Sequence, residues 1–265
     1  MKKYFKMFTN RLSAGLAYRS TIFGTMFLDL VTMSGVVIFW TAVFKEHHSI
    51  SHYSFSESML YFLLIPFIAS FTYVFVSEEI GGEIRQGSLS NYLVKPFKLE
   101  LDAFCRSLAS KINYIFISFP IYMGILYLLS FKYQYNFISF KGLLLGCFAI
   151  VMGFLLHFVM DLAIAWIAFW IGDTWAFVHF KRVIFLILGG ASYPLEFVTG
   201  IQRTLIELLP FKYMYYIPAS YLLGKRGLNT LFIDVCGFII WFIIFIILGK
   251  LLWNAGLKKY EAYGN

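Results

Sequence analysis

Residues 142–171 read GLLLGCFAIVMGFLLHFVMDLAIAWIAFWI, an apolar run in which His157 and Asp161 are the only strongly polar side chains. A helix rises about 1.5 Å per residue and the hydrocarbon core of a bilayer is about 30 Å thick, so roughly 20 such residues cross it. Five more stretches have the same character: Thr21–Phe44, Ser58–Ser77, Ile112–Phe131, Val183–Thr199 and Thr230–Trp253. The chain therefore reads as an all-α integral membrane protein with six transmembrane helices, in a single domain covering residues 1–265.

Composition points the same way. Apolar residues make up 60% and charged residues 14%, and the mean hydropathy is +0.75, outside the range of soluble globular domains. The excess of 22 Lys and Arg over 14 Asp and Glu then reports orientation in the bilayer rather than nucleic-acid binding. Cys105, Cys147 and Cys236 are far apart and form no C-x-x-C, so neither a disulfide framework nor a zinc site is indicated.

Six spans put both termini on one side. With that side cytoplasmic, 15 of the 22 basic residues, Lys111 and Lys181 among them, lie inside and seven outside, as the positive-inside rule prefers. A multi-pass protein of the cell membrane, plasma or inner, is expected. Residues 1–20 form an interfacial helix: Phe5, Phe8, Leu12 and Leu16 share one face, and Lys2, Lys3, Lys6, Asn10 and Ser13 the other. A plain basic flank that sets topology is the simpler reading. A signal peptide is not expected, because the following run is too long and no small-residue cleavage site follows.

The cytoplasmic segment 78–102 is the most informative polar stretch. Gly81, Gly82 and Gly87 permit sharp changes of direction, Ser88 or Ser90 suits a helix cap, and Pro96 biases Lys95 away from helical dihedrals. The pattern is helix, break, short helix, stop. Leu89, Tyr92 and Leu93 would give the short helix one apolar face, fit for the membrane surface or a partner's groove, with a charged face left for a soluble subunit. An ordinary polar loop satisfies the same residues.

Glu83, Arg85, Gly87, Ser88, Leu89, Leu93 and Pro96 resemble the coupling-helix segment of permease subunits of ATP-binding cassette transporters of the ABC-2 type. Ser88 stands where many members have Thr and keeps the hydroxyl. Leu209, Pro210 and Phe211, followed by Tyr216 and Pro218, resemble a Leu-Pro-Phe motif of the short six-helix branch, and Trp253, Gly256, Leu257 and Tyr260 its terminal Trp-x-x-Gly-Leu.

The resemblance implies a division of labour. The chain has no G-x-x-x-x-G-K-[ST] loop to cradle phosphates, so it is not itself an enzyme and carries no cofactor. ATP and magnesium would be bound by separate cytoplasmic ATPase subunits. A second permease chain, identical or related, would complete the pathway. Most family members are exporters, and a hydrophobic or amphiphilic substrate is expected.

Between the fifth and sixth spans, Gly189 to Arg226 is apolar but broken by Pro194, Pro210 and Pro218 and by glycines, with Glu196 and Glu207 among them. The family supplies short re-entrant outer helices here, about residues 200–229, with Pro194, Glu196, Pro210, Phe211 and Pro218 at an outer gate. Such backbone is tolerable at depth only when protein or a wet cavity covers it. A surface loop anchored by tyrosines is the alternative.

Asp29, His157 and Asp161 lie inside expected spans. An aspartate at mid-helix costs roughly 2.5–3.5 kcal/mol, so each needs a partner or a wet cavity. His157 and Asp161 are four residues apart and share a helix face, as a structural pair or as a proton or substrate contact. His-x-x-x-Asp also occurs in intramembrane metalloproteases of the prenyl-protein-processing type. Here Glu78 and Glu79 are wrongly spaced from Arg85, and Phe44 with His48 falls on the opposite side, so no metal site is expected. A structural or immunity membrane protein with no ATPase is a third reading.

Overall fold

In hydrocarbon every backbone N–H and C=O needs a partner within the chain, and helices supply it. The computed structural model describes residues 2–17, 19–45, 49–51, 53–93, 98–133, 138–171 and 175–260. Apart from a small hairpin pairing Ser49–Ile50 with Tyr53–Ser54, its regular structure is helical. In chain order the helices are α1 (Lys2–Ala17), α2 (Arg19–Val43), α3 (Phe55–Thr72), α4 (Val76–Arg85), α5 (Ser90–Leu93), α6 (Leu99–Tyr133), α7 (Phe140–Trp166), α8 (Trp175–Leu188), α9 (Gly200–Leu208), α10 (Tyr216–Leu222) and α11 (Leu228–Leu257).

Helix starts follow local chemistry. Ser54 and Glu57 form a capping box at α3: the Glu57 N–H donates to Ser54 Oγ at 3.3 Å, and the Ser54 N–H to Glu57 Oε2 at 2.9 Å. Ser139 Oγ accepts from the Gly142 N–H at 3.0 Å at the start of α7.

Among the described residues, four segments are long and apolar enough to cross a membrane: Met26–Val43, Phe55–Arg85, Phe140–Phe169 and Leu228–Leu257. A fifth, Leu99–Phe116 with Phe119–Phe131, is bent by 47° beside Pro120, which α6 contains and which removes a helical hydrogen bond. The chain is thus an all-α membrane protein. The span expected at Val183–Thr199 differs: the helix there is α8, which starts earlier and stops at Leu188. At about 21 Å it is too short to cross alone. Gly189 and Gly190 turn the chain, and the Gly189 N–H still donates to Phe185 O at 3.1 Å. The span expected at Ser58–Ser77 is broken, since residues 73–75 are not helical and part α3 from α4.

The hub is α7, against which α11, α10, α4 and α3 pack, while α1 lies along α6 and α2 along α3. Two apolar clusters share it. One joins Leu63, Leu156, Tyr213, Ile217 and Tyr221; the other joins Ile80, Ile84, Leu89, Phe158, Trp166 and Phe169.

Candidate functional site

The break between α3 and α4 leaves carbonyls at the end of one helix and N–H groups at the start of the next without intrahelical partners. Three neighbouring helices supply them. From α6, Lys111 donates to Ser70 O at 2.8 Å and to Tyr73 O. From α7, His157 sets Nδ1 3.0 Å from Thr72 O and 3.1 Å from Val74 N, and its tautomer decides whether the ring donates to the first or accepts from the second. One turn on, Asp161 accepts from the Ser77 N–H at 3.0 Å and from Ser77 Oγ at 2.7 Å. Lys181 of α8 pairs with Asp161.

Charge follows the helix dipoles. The Lys111 ammonium stands at the negative end of α3 and the Asp161 carboxylate at the positive end of α4. His157, Asp161, Lys181 and Ser77 are all buried. His157 and Asp161 thus sit on one face, as their spacing predicts, and both turn to the α3–α4 junction rather than to each other.

Beyond the break, α4 runs to Arg85, and Gly87 at φ +71° ends it in the left-handed conformation that favours glycine. Ser88 Oγ donates to Glu83 O at 3.2 Å, and α5 is a single turn. Glu83 Oε1 lies 3.1 Å from Arg106 Nη1 of α6 and accepts from Tyr92 Oη at 3.3 Å. Burial and that carboxylate hold the Tyr92 phenol above its usual pKa. Arg106 also pairs with Glu79 and Asp102, each at 3.4 Å.

The apolar face expected to meet the membrane surface or a partner's groove turns inward at Leu89 and Tyr92. Leu89 is fully buried in the cluster with Ile80, Ile84 and Phe158, because Gly87 folds the chain back over α4 and α7. The exposed surface of the turn is instead Arg85, Gln86 and Asn91. Leu93 ends α5, with its side chain outside the described residues, as is Pro96.

The terminal motif meets this turn. Trp253 packs on Trp166 with ring centroids 4.4 Å apart, and a Cβ on Gly256 would fall inside the Phe169 ring. Tyr260 Oη donates to Gly87 O at 2.8 Å and accepts from the Ser90 N–H at 3.3 Å.

At the far end, the residues expected at an outer gate lie in irregular backbone between short helices. Pro194 precedes a 3-10 turn (Leu195–Phe197) and Pro210 opens another (Pro210–Tyr213). Pro218 sits in the first turn of α10, where the missing N–H costs nothing. Tyr216 Oη donates to Glu196 Oε1 at 2.7 Å, Phe211 meets Phe185 at 5.8 Å, and Tyr61 Oη donates to Gly190 O at 2.5 Å. All of α10 is buried, whereas α9 buries none of its residues.

Three residues that sequence analysis does not single out carry the same weight. Lys111 and Lys181, both counted there as cytoplasmic charge, are the cations at the break. Asp234 accepts from Tyr221 Oη at 2.8 Å and pairs with Arg226 at 2.8 Å. It lies inside the apolar stretch 230–253, so the criterion that selects Asp161 also selects it. Asp29 lies on α2 with its side chain outside the described residues. No three His, Cys, Asp or Glu side chains come together as metal ligands among the described residues.

The profile of a family described as "ABC-2 family transporter protein" matches residues 30–264. Comparison with curated proteins gives no match.

Proposed function

This chain belongs to the ABC-2 family of transporter proteins, and from that membership we propose that it is the membrane permease subunit of an ATP-binding cassette exporter. A separate ATPase binds ATP and magnesium, a second permease chain completes the pathway, and six membrane crossings, one of them made by α8 together with the irregular segment that follows it, leave both termini in the cytoplasm. The observation that carries this reading is the clasped break: α4, bearing the coupling segment, pivots where Asp161 and Lys181 hold Ser77.

Closure of the ATPase on nucleotide pushes the surface made by Arg85, Gln86 and Asn91. Glu83 and Arg106 stiffen the turn behind it, so the push reaches the α3–α4 break. From there it passes to α3 and to α10 packed against it. The outer elements carrying Pro194, Glu196, Pro210, Phe211 and Pro218 then open or close the far end. This is a rigid-body shift biased by a ligand that binds two states unequally. The cargo in this reading is hydrophobic or amphiphilic; a 21% share of aromatic residues fits such a pathway and equally fits lipid packing and interfacial belts.

The test is Arg85→Glu together with Asn91→Glu, surface changes that leave the buried Leu89 untouched, in the chain coexpressed with its cognate ATPase. Membrane insertion is expected to persist while ATPase association and cargo-stimulated hydrolysis are lost. Undiminished transport would refute the coupling role.

A further inference from the structure

The carbonyl of Leu208, at the end of α9, accepts from Trp241 Nε1 of α11 at 3.0 Å. Trp241 lies roughly 20 Å along α11 from its start at Leu228, in the middle of the uncharged run 235–249. The next turn of chain lies at the same level: a Cβ on Gly153, at the midpoint of α7, would fall 2.5 Å from Tyr213 O. Both α7 and α11 are long and apolar enough to cross a membrane, so α9 ends at the depth of the hydrocarbon core. Its start is nearer the surface, since the Phe197 ring just before it lies 5.7 Å from both Trp40, close to the end of α2, and Tyr53 of the hairpin.

Lipid alone does not suit a helix of this composition. Arg203, Thr204 and Glu207 share one face, and α9 buries none of its residues. Arg203 Nε lies 2.9 Å from Glu207 Oε1, with the two side chains 42% and 33% exposed. Thr204 is exposed as well. On the adjoining 3-10 turn, against which α9 packs, Lys212 is a further, half-buried cation. Pairing reduces the cost of holding ions at this depth but does not remove it, because each still gives up its hydration. Ionisable groups inside a membrane therefore face protein or a water-filled cavity, and here the chain leaves Arg203 and Glu207 partly uncovered. A neighbouring face of the helix is apolar, with Ile201, Leu205 and Leu208 at 77%, 57% and 66% exposure.

We propose that the polar face of α9 lines a water-filled vestibule, with Arg203, Thr204 and Glu207 in its wall. It enters from the surface opposite the coupling turn and reaches toward the middle of the membrane. The apolar face of the same helix meets lipid. The vestibule requires only that the chain sit in the membrane. Its use rests on the permease reading: it receives the polar end of an amphiphilic cargo, for which Arg203 supplies a donor fork and Glu207 an acceptor. The apolar end of that cargo passes along Ile201, Leu205 and Leu208 into lipid.

Thr204 and Leu205 are neighbours in the chain, so they lie at nearly one depth and differ in the face they occupy. Each in turn is replaced by Cys in a full chain carrying Cys105→Ser, Cys147→Ser and Cys236→Ser, tagged with a nitroxide and reconstituted in phosphatidylcholine liposomes without an ATPase. Electron paramagnetic resonance then measures relaxation by a water-soluble nickel chelate and by oxygen, which partitions into lipid. The ratio of nickel to oxygen accessibility is expected to be severalfold higher at position 204 than at 205. Low accessibility to both at 204 would mean that protein covers the face, and oxygen dominance at both positions that lipid does. Nickel dominance at both would mean that α9 stands in open water, and any of these three results would overturn the proposal. If the cysteine-free chain fails to insert, a ketone-bearing amino acid at the same two positions carries the nitroxide in the native chain. No outcome involves the ATPase, so failure here leaves the coupling reading to its own test with Arg85→Glu and Asn91→Glu.

Discussion

Tyr260 and Gly87, far apart in the chain, are joined by a hydrogen bond from the Tyr260 phenol to the Gly87 carbonyl at 2.8 Å. The Tyr260 phenol oxygen in turn accepts from the Ser90 N–H at 3.3 Å, so one side chain clamps both arms of the turn between α4 and α5. The terminal motif is therefore part of the coupling region in space, although 173 positions separate the two in sequence.

Tyr260→Phe keeps the ring contact with Phe169 and removes only the hydroxyl. Net hydrogen bonds of this kind contribute about 1 kcal/mol, so global stability is expected to change little. Limited proteolysis within residues 86–93 is expected to speed up severalfold. Protection equal to wild type would show that the phenol does not hold the turn.

Gly256 is bare where the Phe169 ring approaches. Gly256→Leu drives a side chain into that ring, and overpacking of this kind costs about 1–3 kcal/mol. The loss should appear in the thermal unfolding midpoint in detergent. Phe169→Ala in the same chain is expected to restore part of it, and a failure to rescue would place the damage elsewhere.

Hydropathy alone makes the chain an all-α membrane protein, since each long apolar run must become a helix in lipid. Where a run breaks is less legible. Thr72 to Val76 contains neither glycine nor proline, and the break there depends on Lys111, His157 and Asp161 arriving from other helices. No local pattern records such contacts. The same limit hides the inward turn of Leu89, because an apolar side chain beside a glycine reads equally well as a docking face or as core. Spacing did place His157 and Asp161 on one face, yet their targets are backbone groups of α3 and α4, which have no residue signature.

Arg106 holds Glu79, Glu83 and Asp102 together. Arg106→Gln leaves Asp102, whose side chain is 1% exposed, with only the more distant Arg11 at 3.8 Å among the described residues. A destabilisation of about 2–3 kcal/mol is expected, as for a buried carboxylate that loses its main partner. Glu79→Gln, at an exposed side chain, is expected to cost under about 1 kcal/mol. Arg106→Lys should recover only part of the loss, because one ammonium cannot fork among three carboxylates. Denaturation of the three variants side by side checks the order, and equal midpoints would mean the cluster is not a structural unit.

Asp161 and Lys181 form a buried pair at the start of α4, and a pivot at this point depends on their coupling. Removing one partner of a buried pair typically costs about 3–5 kcal/mol, because the other is left charged and unpaired, while replacing both is far milder. Asp161→Asn keeps an acceptor for the Ser77 N–H, so its damage isolates the loss of charge at the helix start. Lys181→Met keeps the length of the side chain and removes only the cation. Each single variant is expected to lose most of the folded yield, and the double variant to recover much of it. A double-mutant cycle by thermal unfolding would then give an interaction of about 2–3 kcal/mol. Because the pair also orients α4 against α8, the double variant is expected to fold yet transport poorly, which separates the pair's part in holding the hinge from its part in stability. Additive losses in the two single variants would mean that the carboxylate caps α4 without help from the lysine, and the pivot would lose its second arm.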